Sequence, residues 1–160
     1  MADGDHVIGQ PEILLGFPPG GGGTQRLVRL VGTHRGLKRM LDGGGLAPED
    51  AAEIGYVDEV VPADVLIERA IALGEHLAQR IKFTVAAVKR AAYIGGSLSL
   101  EDGLHVENAE FLSTLASPGA QQAMLAYMKR TDEMGDLPLY DPPTYEKTLE
   151  AGSFGRVAGA

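Results

Sequence analysis

Apolar residues recur at helical spacing through most of the chain, and only a few short stretches lose that period. In TQRLVRLVG, Leu27, Leu30 and Val31 fall at i, i+3 and i+4, with Thr24 placed to cap the first turn and Gly32 to end the helix. Its outer face is cationic. Arg35 to Leu41 predicts a second short helix with Leu37, Met40 and Leu41 inward, closed by Gly43 to Gly45. Pro48 opens a third that stops at Gly55. Asp64 is placed to cap a long helix reaching Arg80, with Leu66, Ile67, Ala70, Ile71, Leu77, Ala78 and Ile81 as its inner stripe.

Phe83 to Ile94 continues helically as far as Gly95 and Gly96. Ser99 and Asp102 have capping-box spacing and open a helix carrying Leu104, Phe111, Leu112 and Leu115. Ser117 and Pro118 open the next, which runs to Arg130. Val7 and Ile8 lie between turn formers and predict a brief strand or extended lead-in, and YVDEVVP from Tyr56 to Pro62 predicts one more short strand. From Met134 onward prolines and glycines break the period, which predicts an extended tail lying on a partner and ending in disorder. The pattern is a helix-rich α/β chain with too few strands for the sheet that a domain of this length normally centres on.

Composition narrows the function classes. With 160 residues and 44% hydrophobic content there is enough apolar material for one domain core. The formal charge of −8, from 14 Lys and Arg against 22 Asp and Glu, argues against a nucleic-acid partner. Cysteine is absent, which excludes disulfides, a thiol nucleophile and Cys-based metal sites and fits a cytoplasmic location. Neither a signal-peptide pattern nor a long apolar run is present, so no membrane association is expected.

The stretch GQPEILLGFPPGGGGT holds the candidate chemistry. Its four glycines fit neither a P-loop nor a dinucleotide loop, because no Lys-Ser/Thr follows and the third required glycine falls on Gln25 or Arg26. What remains is a set of backbone amides at a helix N-terminus that could face an anion or oxyanion, or a tight loop that only lets the helix pack closely. Glu12 stands among Pro11, Ile13, Leu14 and Leu15, which would desolvate a carboxyl and favour its neutral, proton-donating form. The plainer reading is a solvent-facing loop carboxylate. His6, His34, His76 and His105 are scattered and imply no metal. Ser97, Ser99 and Ser113 lack a nucleophile-elbow context.

Taken in order, GQPEILLGFPPGGGGTQRL, then GGGLAPEDAAEIGYVDEVVP, then the helices to AYMKR resemble the crotonase superfamily, specifically enoyl-CoA hydratases and isomerases, from Val7 to Arg130. The resemblance implies the C-terminal part of a crotonase-like spiral fold: 1–62 as core with one wall of the site, 63–133 as helices for oligomerisation, 134–160 as tail. It implies an acyl-CoA thioester as substrate, no further cofactor, and syn addition of water to a 2-enoyl-CoA. Glu12 matches the glutamate that donates a proton to the α-carbon while a second glutamate orients the water. Gln10 and Pro11 would set its geometry, and Leu15 with the backbone at Gly20 would line the place where acyl group and water meet. Tyr127 and Arg130 would contact the acyl-CoA of a neighbouring subunit, the aromatic by packing and the cation through phosphates. Homo-trimers or hexamers are implied.

The family's N-terminal half is not matched, and with it go the two oxyanion-hole amides, the other glutamate and most of the adenine-nucleotide site. Loss of one such donor costs about 2.7–4 kcal/mol of transition-state stabilisation, so negligible hydration by these 160 residues alone is expected. Met1 aligns within a core strand of the full-length family, which implies an internal methionine taken as a start. Two other readings are a non-catalytic partner docking on an intact crotonase through Leu104, Phe111, Leu112, Leu115, Met124 and Tyr127, and one half of a split enzyme. Acyl-chain length, and the choice among hydratase, isomerase and hydrolase, rest on residues outside the match; Glu12 favours hydratase.

Overall fold

Proline, serine and glycine mark most of the helix ends in the computed structural model, which describes residues 1–157. Backbone proximity divides the chain into two units, Met1–Ala70 and the part from Ile71 onward. The division falls inside the helix Leu66–Ala78.

In the first unit, α1 (Gly23–Val31) and α2 (Thr33–Asp42) meet at Gly32, and α3 (Pro48–Glu53) begins with proline in its first turn. Gly36 of α2 lies against α1, where a Cβ would stand 3.0 Å from Val28 Cγ1 and 3.1 Å from its Cα, so glycine lets the two helices approach closely here. Leu27, Val31 and Met40 form the buried cluster, with Val28, Ile54 and Tyr56 packed on it. Leu30, Leu37 and Leu41, expected inward, are exposed. The helical period was right, but these two short helices bury a narrower stripe than the apolar residues span.

The expected strands reduce to isolated bridges. Ile8 and Leu46 exchange two backbone hydrogen bonds of 3.0 and 2.9 Å in antiparallel register, and Ala2 pairs with Val61 in parallel. Tyr56 to Pro62 is otherwise irregular. A strand needs a neighbour along its length, and among the described residues neither stretch has one.

The second unit continues α4 (Leu66–Ala78) and adds α5 (Lys82–Arg90), which passes directly into a π-helical turn at Ala91–Gly95. After it, α6 (Leu100–Leu115) starts as the spacing predicts, with Asp102 N donating to Ser99 Oγ at 3.2 Å and Ser99 Oγ donating to Asp102 Oδ2 at 2.7 Å. Ser117 caps α7 (Pro118–Met134), accepting from Ala120 N at 3.3 Å, and Gly135 ends it four residues beyond the predicted Arg130 with φ +69°.

The tail is not extended. A 3₁₀ turn at Pro138–Tyr140 leads to α8 (Pro142–Ala151), capped by Asp141 through Thr144 N at 3.0 Å, and a second 3₁₀ turn follows at Phe154–Arg156. Asp141 before Pro142 is a helix-start signal that the surrounding prolines obscured. The last residues of the predicted disordered end, 158–160, lie outside the described residues. No residue of α4 or α6 is buried: Ile67, Ile71 and Leu77, then Leu104, Phe111, Leu112 and Leu115, are all exposed. Spacing marks which face is apolar, not what covers it.

Candidate active-site wall

Glu12 sits in a 3₁₀ turn, Pro11–Leu15, that proline starts and Gly16 ends at φ +85°. Gly16 N donates to Ile13 O at 3.1 Å and Phe17 N to Glu12 O at 3.4 Å, which holds the turn closed. The turn packs against the C-terminus of α2. Gly43 there has φ +67°, and a Cβ on it would come 2.8 Å from Ile13 Cγ2 and 3.0 Å from Leu14 Cγ. Two glycines of the GGG run before Leu46 are thereby explained: Gly43 receives the acid-bearing turn, and a Cβ on Gly45 would press into Val7.

The Glu12 side chain is half-buried, and its Oε2 is shielded from solvent without a hydrogen-bond partner among the described residues. Its apolar neighbours do not enclose it as expected, since Pro11, Ile13, Leu14 and Leu15 are all exposed, Leu15 by 71%. A buried carboxylate oxygen without a donor is costly, so such an atom marks a place where another group belongs.

The four glycines divide into two pairs. Gly22, at φ +96°, is the N-cap of α1 in place of the expected Thr24, and its carbonyl accepts from Gln25 N at 3.1 Å and Arg26 N at 2.8 Å. Gly23 carries no Cβ because the Gln10 carboxamide and Pro19 occupy that space. Gly20 and Gly21 differ: neither has positive φ, and a Cβ on either would meet nothing within 4 Å. This chain's own packing gives no reason for glycine at those two positions.

Gln10 and Glu12 flank Pro11 at the start of the turn, and Gln10 Nε2 donates to the Tyr56 hydroxyl at 3.4 Å. Tyr56 was not singled out from the sequence; its partner is 46 residues away, and no local spacing signals the contact. Gly20 lies on the exposed loop between the acid-bearing turn and α1. Tyr127 and Arg130 belong to the second unit and are engaged there. The Tyr127 ring meets Phe154 edge-on, with centroids 5.0 Å apart and planes at 80°. Arg130 Nη1 donates to Glu133 Oε2 at 3.3 Å. Hydrogen bonding with Thr144 holds the Asp141 carboxyl below its ordinary value, and the nearby Arg130 charge adds a lesser push in the same direction. Among the described residues no group of three or more His, Asp or Glu side chains is placed to hold a metal ion. No helix among them is long and apolar enough to cross a membrane.

The family model described as enoyl-CoA hydratase/isomerase matches residues 1–135, and the chain belongs to that family. It is 35% identical over 121 residues to the mitochondrial enoyl-CoA hydratase of Pongo abelii, a match covering 76% of this chain and 42% of that protein. It is 32% identical over 127 residues to the short-chain-enoyl-CoA hydratase of Clostridioides difficile, covering 79% of this chain and 82% of that protein. Among solved structures it is similar to an enoyl-CoA hydratase of Geobacillus kaustophilus, at TM-score 0.76 and 32% identity, covering 81% of this chain and 49% of that one. The chain spans about half the length of most of the relatives it matches.

Proposed function

We propose that this chain supplies one wall of an acyl-CoA thioester site, with Glu12 as the acid that protonates the α-carbon of a 2-enoyl thioester while the hydroxyl of water adds to the β-carbon. The observation that carries this reading is the shielded Glu12 Oε2, which has no partner among the described residues. Gly20 and Gly21 add support, since glycine at both is unexplained by the chain's own packing and leaves backbone free to approach a ligand. In this reading Gln10 and Pro11 set the acid's geometry, and Leu15 and the Gly20 backbone border the reacting water. Tyr127 and Arg130, both partly exposed on α7, would meet a neighbouring subunit's acyl-CoA in a trimer or hexamer. A cytoplasmic setting rests on the cysteine-free composition.

The donors for the thioester carbonyl, the second glutamate and the nucleotide site would come from a further polypeptide segment, on the same chain or another. At about 2.7–4 kcal/mol for each oxyanion donor, these 160 residues alone would hydrate negligibly. The test follows the absorbance of a short 2-enoyl-CoA with this chain alone and with the N-terminal half of a hydratase relative added. Turnover only in the mixture supports the reading, and family-level turnover by the chain alone refutes the need for a second segment.

A second reading is favoured by the exposed apolar residues Leu104, Phe111, Leu112, Leu115 and Met124 on α6 and α7. They suit docking on an intact crotonase as a non-catalytic partner. Native mass measurement after co-expression with a full-length relative decides it: a mixed assembly supports the reading, and self-association alone removes it.

A further inference from the structure

The Tyr56 hydroxyl and the Gln10 carboxamide tie two distant parts of the first unit together at 3.4 Å. Each partner is fixed on its far side. Tyr56 packs on the Leu27, Val31 and Met40 cluster, and its backbone N–H donates to Ala51 O at 2.8 Å. The Gln10 carboxamide lies on Gly23 in the first turn of α1, so closely that any side chain at that position would collide with it. Gln10 is also the residue immediately before the acid-bearing turn, and Pro11 locks the next φ. Few free torsions separate the Gln10 anchor from the Glu12 Cα.

We infer, resting on the reading of Glu12 as the acid, that Tyr56 is a positioning residue: its hydroxyl holds Gln10 against α1 and thereby sets where the Glu12 carboxyl stands. Glu12 Oε2 has no hydrogen-bond partner among the described residues, so its placement depends on how the turn is held. Tyr56 acts through Gln10 and needs no contact with substrate. The core ring and the hydroxyl do separate jobs, which a single substitution can separate.

Tyr56→Phe keeps the packed ring and removes only the hydroxyl. In the full chain labelled with ¹⁵N and ¹³C, the Gln10 side-chain NH₂ signals are assigned by their loss in Gln10→Ala. In Tyr56→Phe these signals should move, and their proton exchange with water should quicken roughly 2- to 10-fold, as for loss of one neutral hydrogen bond. The Glu12 carboxyl carbon signal should move as well, while the Leu27 and Val31 methyl signals stay in place. A Gln10 response without a Glu12 response, or no response from either, makes Tyr56 an ordinary core ring and overturns the inference. So does a shift shared with the Leu27 and Val31 methyls, which would report a general change of packing. No substrate enters this measurement, so its outcome and the outcome of the hydration assay are independent.

Discussion

Arg90 grips Glu110 with two hydrogen bonds, Nε to Oε1 at 2.6 Å and Nη2 to Oε2 at 2.7 Å, tying α5 to α6. The hydrogen bond from Arg90 holds the Glu110 carboxyl below its ordinary value of 4.5. A carboxyl depressed by folding stabilises the fold above its unfolded pKa, and that contribution is lost as the pH falls through the lower folded value. Glu110→Gln should therefore lower the melting temperature at neutral pH, and its gap from the parent should close as the pH drops below 4.5. Melts followed by circular dichroism down to about pH 2 check both halves of the statement.

Ser99 both accepts from Asp102 N and donates to its carboxylate at the start of α6. Ser99→Ala should cost about 1 kcal/mol, the usual effect of losing such a cap. Urea unfolding monitored by helical circular dichroism measures it, and Ser99→Thr, which keeps a hydroxyl able both to accept and to donate, should recover most of the loss.

Leu27 and Leu30 lie one turn apart on α1, but Leu27 is 3% exposed and Leu30 57%. Leu27→Ala should destabilise the first unit by about 2–5 kcal/mol. Leu30→Ala should stay within about 0.5 kcal/mol of the parent. Hydrogen exchange at α1 and α2 amides reads the difference where it arises.

The glycines separate folding from function. Gly43→Ala places a side chain at φ +67° and against Ile13, so it should cost about 1–2 kcal/mol from backbone strain alone. Gly20→Ala meets nothing within 4 Å and should leave the melting temperature of the isolated chain unchanged. If Gly20 borders a ligand, the same substitution should weaken turnover in the complemented enzyme.

Helix starts are readable where a polar cap stands next to a clean apolar period, as at Ser99 and Ser117, and where proline fills the first turn, as at Pro48. The cap of α1 was misread because four adjacent glycines hide which one turns, and only the φ of Gly22 shows it. α8 was missed because the prolines that signal irregular chain also serve as first-turn residues after Asp141. The strand predictions shrank to bridges because pairing depends on distant partners. Leu46 answers Ile8 from 38 positions later, 46 − 8, and nothing near either residue announces it. At the candidate site, Glu12, Gln10 and the glycine loop were legible as a motif; the Tyr56 tether and the exposure of Leu14 and Leu15 depend on the folded arrangement.

In the proposed reading Glu12 delivers the α-proton. Its most direct test is hydration of a 2-enoyl-CoA in D₂O by the complemented enzyme, following deuterium at the product's α-carbon by NMR. One deuterium at that carbon is expected with Glu12 present, and about 10²- to 10⁴-fold slower incorporation in Glu12→Gln. Equal rates for the two proteins would contradict it.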